Sequence, residues 1–400
     1  MATSISFIHA ADLHLDSPFK GLAHIPDYIF SDVRASTFKA LDNLVLAAIN
    51  KQVDFVLLAG DLFDNEHQSL KAQVYLRTAF ERLKAHQIKV YLSYGNHDHM
   101  NGNVHPITYP DNVHIFPNEH ITSFVFEKND EKLASIYGFS YEERSLMKNK
   151  AIEYEVRDEA IPFHIALLHG SVHGNAEHDP YAPFYLQDLK KKAFDYWALG
   201  HIHKREILAE SPPVVYPGNV QGRHRNEAGE KGCYYVQMTS SGVDMEFIPL
   251  HSILFESRTI DVTPCKTIYE IEKAIASETK SNSCKRLLHL TLHSRTENVL
   301  RFKEDGTLEE LIELLNEVSI FRDEWSYIYA CRVEMDERPL LERDDFFIGE
   351  LAAALDELSV SDAAKDLLTH KEARKFLDDL PQEKIKESAK QLLIYELLKG

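Results

Sequence analysis

The sequence predicts an α/β fold: a four-layer αββα sandwich of two mixed sheets, followed by a small α/β cap domain and a helical C-terminal tail. Three observations predict it. Strand–helix–strand–helix–strand alternation fills the first hundred residues, which is the pattern of crossovers in a parallel sheet. After residue 110 the rhythm changes to short strands that follow one another without helices. The buried-looking strands also end in Gly, Asp, Asn or His, where an α/β fold presents ligand-binding groups. The clearest case is Phe55-Val56-Leu57-Leu58-Ala59, five apolar residues that read as a strand buried on both faces and run into Gly60-Asp61-Leu62-Phe63-Asp64.

Taken in order, residues 6–11 form a strand that breaks at Asp12-x-His14. Apolar groups at Val33, Phe38, Leu41, Leu44, Val45, Ala48 and Ile49 have helical spacing over 31–50, with Ser31 as N-cap. The strand 55–59 and a helix over 69–86 follow, then a strand over 88–94 that ends in Gly95-Asn96-His97-Asp98. Short strands are expected at 113–116, 121–126 and 134–139. A buried strand at 163–168 ends in His169-Gly170. A polar helix at 185–192 leads to a strand at 195–199 that ends in Gly200-His201-Ile202-His203. Strands at 214–219, 232–238 and 243–248 complete a catalytic domain over 1–255. The cap domain, 256–340, alternates strands (259–262, 287–292, 327–333) with helices (267–279, 307–318). The tail, 341–400, carries a helix near 346–358 and a second whose face is Ile385, Ala389, Leu392, Leu393 and Leu397.

Composition narrows the function. A net charge of −19, spread over both halves, opposes a simple electrostatic nucleic-acid binder, so a polyanionic substrate needs a local positive feature such as bound cations. The four cysteines are scattered without a Cys-x-x-Cys pair, which fits reduced thiols in the cytoplasm rather than a structural zinc site. No apolar run reaches the length of a membrane span, and the first residues lack a secretory pattern, so neither membrane nor export is expected. Of the 21 histidines, 17 precede residue 251, which puts the chemistry in the N-terminal domain.

Five strand ends carry ligand-type groups: Asp12-x-His14, Asp61, Asn96-His97, His169 and His201-x-His203. On extended backbone, one intervening residue leaves both flanking side chains on the same side. Any one of these histidines alone is more often packed or exposed without a role, but the set points to metal. Seven candidate ligands exceed what one ion needs and fit two first-row cations that share a bridging group. Imidazole mixed with oxygen, and no thiolate, suits Mn²⁺, Fe²⁺ or Zn²⁺ better than Ca²⁺. Two such ions about 3.5–4 Å apart clamp both sides of a phosphoryl centre. Asp61, alone at the end of the middle strand, is the natural bridge.

The ordered series Asp12-x-His14, Gly60-Asp61-x-x-Asp64, Gly95-Asn96-His97-Asp98, His169-Gly170 and Gly200-His201-x-His203 resembles the signature of calcineurin-like metallophosphoesterases over about 200 residues. Ala11-Asp12-Leu13-His14-Leu15, Gly60-Asp61-Leu62-Phe63-Asp64 and Tyr216-Pro217-Gly218-Asn219-Val220-Gln221-Gly222-Arg223 resemble its SbcD-type DNA repair nuclease branch. Asp16-Ser17-Pro18-Phe19 and the run from Gly222 to Gly232 look most like YhaO-type bacterial members. The resemblance implies one metal on Asp12, His14, Asp61 and His203, and another on Asp61, Asn96, His169 and His201. It implies that His97 acts at the scissile phosphate while Asp98 holds its ring. Arg223 is an expected phosphate contact. Asp64 departs from relatives that carry a histidine there, and its role is left open between supporting the site and touching substrate. The implied activity is a manganese-dependent 3′-to-5′ exonuclease and endonuclease on DNA, paired through the C-terminal region with an SbcC-like, SMC-type ATPase. A homodimer through catalytic-domain helices is a further expectation.

Two rivals stand beside it. A phosphodiesterase for nucleotides or other small phosphate esters fits the acidic charge, whereas cap and tail favour the nuclease. A non-catalytic scaffold of an ATPase complex would not require every ligand position to be filled, and here all are.

Overall fold

A computed structural model of the chain describes residues 3–335, apart from 20, 23–24, 66–67, 103–106, 175–180, 280–283 and 320–321. Beyond these it describes 350, 353–355, 358–360 and 385–389. The expected tail helices therefore lie almost wholly outside the described residues. The chain divides into two compact units. The first takes Met1–Arg258, Thr279–His289 and Asn316–Ala330, and the second takes Thr259–Glu278, Leu290–Leu315 and Cys331–Gly400.

In the first unit the expected alternation is present as β1 (Ser4–Ala10), α1 (Asp27–Asn50), β2 (Phe55–Ala59), α2 (Leu70–Ala85) and β3 (Lys89–Ser93). Then come β4 (Val113–Ile115), β5 (Thr122–Lys128), β6 (Glu131–Gly138), β7 (Phe163–His169), α3 (Leu186–Lys190), β8 (Tyr196–Gly200), β9 (Glu206–Glu210), β10 (Pro213–Tyr216), β11 (Gly232–Thr239) and β12 (Gly242–Pro249). They form two six-stranded sheets, ordered β12-β11-β1-β2-β3-β4 and β5-β6-β7-β8-β10-β9. Both are mixed. β1 to β4 run parallel while β11 and β12 are antiparallel additions. β6, β7, β8 and β10 run parallel between antiparallel edges β5 and β9.

Alternation along the strands makes the layers. Phe7, Phe55 and Leu57 on one face meet Phe126, Ile136, Ile165, Leu167 and Tyr196 of the other sheet. Ile8, Ala10, Val56 and Leu58, pointing the opposite way, pack under Leu41, Leu44 and Val45 of α1 and Leu76, Phe80 and Leu83 of α2. On the far side, Ala166, Leu168, Trp197 and Leu199 pack against Phe184 and Leu189. Helix, sheet, sheet, helix is the predicted αββα sandwich. Each such fully buried aliphatic or aromatic side chain contributes about 1.5–3 kcal/mol, so both faces of the central strands hold the sheets in place.

Local differences from expectation have physical reasons. Helix α1 begins at Asp27 after Pro26 rather than at Ser31. Ile29 extends the apolar stripe one turn back from Val33, and both pack with Phe19, Leu22, Ile25, Ile253, Phe255, Leu287 and Trp325. Helix α2 is capped by Ser69, whose hydroxyl accepts from the Ala72 N–H at 3.2 Å. Strand β9 was not expected, because its exposed, charged edge (Glu206, Glu210) carries no apolar run.

Later come β13 (Ile253–Asp261), α4 (Ile268–Thr279), β14 (Lys285–Ser294), α5 (Asn298–Glu304), α6 (Thr307–Ser319) and β15 (Ser326–Met335). The three strands form a sheet in the order β13-β14-β15. Apart from α5, the helices and strands match those expected in kind, though β13 begins at Ile253, six residues before the strand expected over 259–262. Among the described residues, no helix is long and apolar enough to cross a membrane.

Candidate metal centre

The C-terminal ends of β1, β2, β3, β7 and β8 converge on one edge of the sandwich. The parallel β1–β2 pairing continues past the strands, with Asp12 N–H donating to Gly60 O, His14 N–H to Asp61 O and Leu15 N–H to Leu62 O at 3.0–3.1 Å. That continuation holds Asp12, His14 and Asp61 side by side. Four of the predicted ligands sit in the left-handed region: Asp12 (φ 54°), His14 (φ 42°), Asp61 (φ 51°) and His201 (φ 97°). Each costs a non-glycine residue roughly 1–2 kcal/mol, and such strain collects where a site needs particular side-chain directions.

Two groups of ligand atoms result, Asp12–His14–His203 and Asp61–His169–His201, each with its atoms within 4.8 Å of one another. Asp61, a member of the second group, also reaches the first, with Oδ2 3.8 Å from His14 Nε2 and Oδ1 3.5 Å from His169 Nε2. Asn96 Oδ1 is 3.0 Å from His169 Nε2 and 3.2 Å from His201 Nδ1. Asp12 accepts the His201 N–H on both oxygens at 3.1 Å. His169 is aimed by its Nδ1–H, which donates to Ala59 O at 2.9 Å, and by Tyr141, whose hydroxyl donates to the His169 carbonyl at 2.9 Å. Tyr216 donates to Gly170 O at 2.6 Å. The crowding explains Gly60 (φ 84°), where a Cβ would strike the His169 ring.

The donor set fits divalent cations. His14 Nε2 and His203 Nε2 face each other at 3.0 Å, an approach that at most one ring proton can occupy. His14 Nδ1 is buried without a hydrogen-bond partner. Burial and the charge of Arg223 hold His14 far below the usual imidazole range, so it is neutral, as a ligand must be. Burial pushes Asp61 up, but the neighbouring His169 and His14 outweigh this and keep its carboxyl well below the usual range. Burial lowers His169, yet Asp61 and Asp12 carry it up to about 9: the carboxylates draw a proton to a place that suits a cation. Burial raises Asp12 and outweighs the opposing influence of His203 and His169.

His97 borders this cluster, its ring 5.2 Å from that of His14. Its backbone N–H donates to Asp61 Oδ1 at 3.0 Å, and its Nδ1–H donates to the Asp64 carbonyl at 3.0 Å, leaving Nε2 free of protein bonds among the described residues. The expectation that Asp98 holds the His97 ring is corrected. The Asp98 carboxylate turns the other way and accepts from Leu62 N–H at 2.6 Å, Phe63 N–H at 3.3 Å and Gly95 N–H at 2.7 Å. Those unpaired donors around the turn claim it, and the ring finds a backbone carbonyl instead. Asp64 and Arg223 are brought together, with Arg223 Nη1 donating to Asp64 Oδ1 at 2.6 Å. Asp64 Oδ1 also stands 3.7 Å from His14 Nδ1.

One residue escaped the sequence reading. Glu227, 6% exposed, sits in the loop after β10 with Oε1 2.7 Å from His203 Nδ1 and Oε2 accepting from Arg223 N–H and Asn219 Nδ2. It lies inside the Gly222–Gly232 run already singled out, but neither spacing nor periodicity marks it. His9, which reads as core or support, is fully buried, its Nδ1 accepting from the Tyr196 hydroxyl at 3.0 Å and its Nε2–H donating to Leu199 O at 3.1 Å.

Comparison with known proteins agrees with this geometry. The family model for calcineurin-like phosphoesterases matches residues 5–205. The uncharacterized metallophosphoesterase YhaO of Bacillus subtilis is 42% identical over 400 residues, covering 98% of this chain and 97% of its own. The DNA double-strand break repair protein Mre11 of Methanocaldococcus jannaschii is 27% identical over 265 residues, 63% of this chain and 67% of its own. Its namesake from Thermoplasma acidophilum is 23% identical over 277 residues, 64% and 70% of the two chains. With the family's match spanning the strand ends that carry these ligand groups, the chain belongs to the calcineurin-like metallophosphoesterases and is a metal-dependent phosphoesterase.

Proposed function

We propose that this phosphoesterase cleaves DNA, as a manganese-dependent 3′-to-5′ exonuclease with endonuclease action on single strands. In this reading it serves DNA repair in the cytoplasm, beside an SMC-type ATPase that docks on the 341–400 region, and as a homodimer. The observation that carries it is the pair of ligand groups joined through Asp61, with the Nε2 of His97, free of protein bonds among the described residues, next to them. The distant relatives named for double-strand break repair support DNA as the substrate.

Asp12, His14 and His203 would hold one cation, Asn96, His169 and His201 the other, and Asp61 both. When bound, two divalent ions supply positive charge to the phosphoryl oxygens and acidify water at the site. The protein's own groups do the rest. The carbonyl of Asp64 takes the His97 Nδ1–H, so a doubly protonated ring would carry its second proton on Nε2, give it to the departing sugar oxygen and be left as the neutral Nδ1–H form. The Arg223 guanidinium, held by Asp64, sits where an incoming phosphate would meet positive charge. Exposed Lys204 and Arg205 directly follow His203, and exposed Arg225 follows Arg223, a local basic feature on an otherwise acidic chain.

End-labelled duplex and single-stranded DNA with Mn²⁺, compared with cyclic nucleotides and dinucleoside polyphosphates, test this reading. DNA should be degraded from the 3′ end, and chelation should stop it. Turnover of the small esters with intact DNA would overturn the nuclease reading.

A further inference from the structure

We propose that Glu227 is a positioning residue for His203: its carboxylate fixes which ring nitrogen carries the proton and so aims a bare Nε2 at Asp12 and His14. The inference rests on the metal-centre reading above and adds to it a residue outside the ligand set.

The geometry is specific. Two groups meet His203 Nδ1: the Glu227 Oε1 carboxylate, which can only accept, at 2.7 Å, and Arg223 Nη2, which can only donate, at 3.2 Å; the shorter, charge-assisted approach decides for a proton on Nδ1. Nε2 is then a lone pair, directed at His14 Nε2 3.0 Å away. His14 must supply the proton in that contact from Nε2, which leaves its own Nδ1 bare. That nitrogen is the one buried without a hydrogen-bond partner, with Asp64 Oδ1 3.7 Å off and engaged by Arg223. The facing rings thus adopt complementary tautomers set from the Glu227 side.

Glu227 is itself immobilised. Oε2 accepts from the Arg223 N–H at 2.7 Å and from Asn219 Nδ2 at 2.9 Å, and Arg223 Nη2 stands 3.5 Å from Oε1. Lys231 Nζ donates to the His203 carbonyl at 2.9 Å, fixing the backbone of the same residue. A carboxylate behind a ligating imidazole orients the ring and raises its basicity, and removing such a partner weakens metal binding by about ten- to a hundredfold.

The test is Mn²⁺ titration of the full chain by calorimetry, with imidazole ¹⁵N shifts of the metal-free protein. Wild type should bind two ions, and Glu227→Gln should weaken one of them by about ten- to a hundredfold while sparing the other. Adding Glu227→Gln to His203→Ala should cost nothing further at that position. Two ions bound with wild-type affinity by Glu227→Gln would overturn the proposal and leave the metal-centre reading standing, whereas a wild-type chain that binds no Mn²⁺ would overturn both. The ¹⁵N spectrum needs no Glu227 variant: His203, assigned by its absence in His203→Ala, should show a protonated Nδ1 and a bare Nε2. The reverse pattern would overturn the assignment even if Glu227→Gln does not fold.

Discussion

Replacing Asp98 by alanine separates two accounts of the Asn96-His97-Asp98 turn. The carboxylate is fully buried and accepts three backbone N–H groups, from Leu62 and Phe63, which follow Asp61, and from Gly95, which precedes Asn96. Alanine leaves three donors without acceptors, each worth about 1–3 kcal/mol, offset in part because a charge no longer has to be buried. The net loss is about 4 kcal/mol. Both tryptophans, Trp197 and Trp325, belong to the first compact unit, so their fluorescence in a urea titration of metal-free protein reports that unit alone. The expected result is a large drop in its midpoint together with poorer Mn²⁺ retention, because the turn that presents Asp61 and Asn96 loosens. Asp98→Asn, which keeps one acceptor oxygen, should fall between wild type and alanine. A stable Asp98→Ala protein, within about 1 kcal/mol of wild type, that holds both ions and loses only kcat would refute this account and restore Asp98 as the partner of His97.

Other outcomes follow from the same coordinates. His97→Ala should retain two ions and lose about 10²–10⁴ in kcat, since among the described residues its ring bonds only the Asp64 carbonyl; metal analysis beside single-turnover rates checks both halves. Asp61→Asn should raise the dissociation constants of both ions together, as the carboxylate lies between His14 and His169, and retention of either ion at wild-type affinity would contradict the shared position. His9, lowered to about 3 by burial, titrates at its ordinary 6.5 in the unfolded chain. The unfolded state therefore binds the extra proton between those values, and stability should fall as pH drops below 6.5, by about 1.4 kcal/mol per unit. Urea midpoints from pH 7 to 4.5 should show a shallower slope for His9→Gln, and identical slopes would remove His9 from the account.

What the sequence made legible was local. Phe55–Ala59 announces a doubly buried strand because every residue is apolar, and Asp61, His169 and His201 stand out because each ends such a run. Strand β9 was hidden, since it pairs at an exposed edge where Glu206 and Glu210 face water. Helix α1 was shortened because Ile29 pairs with residues more than two hundred positions away. The same distance problem governs the supporting hydrogen bonds. Asp98 sits next to His97 in sequence yet bonds to Leu62 and Phe63, and Glu227 reaches His203 from a single 3₁₀ turn, Arg225–Glu227, that carries no apolar periodicity. Ligand identities are written in residue types at strand ends. What holds the ligands depends on where the tertiary fold leaves unpaired donors.

The ligand groups come from both sheets: Asp12, Asp61 and Asn96 follow strands of one, while His169 ends and His201 follows strands of the other. Cations seated among them would rivet the two sheets together, closing a chain loop that runs from the first strand to beyond residue 200. Nothing comparable could form in an unfolded chain, so binding feeds directly into fold stability, by about 2.7 kcal/mol when free ion exceeds its dissociation constant a hundredfold. A melting curve recorded against cation concentration would then serve as an occupancy gauge for this centre. It needs no substrate.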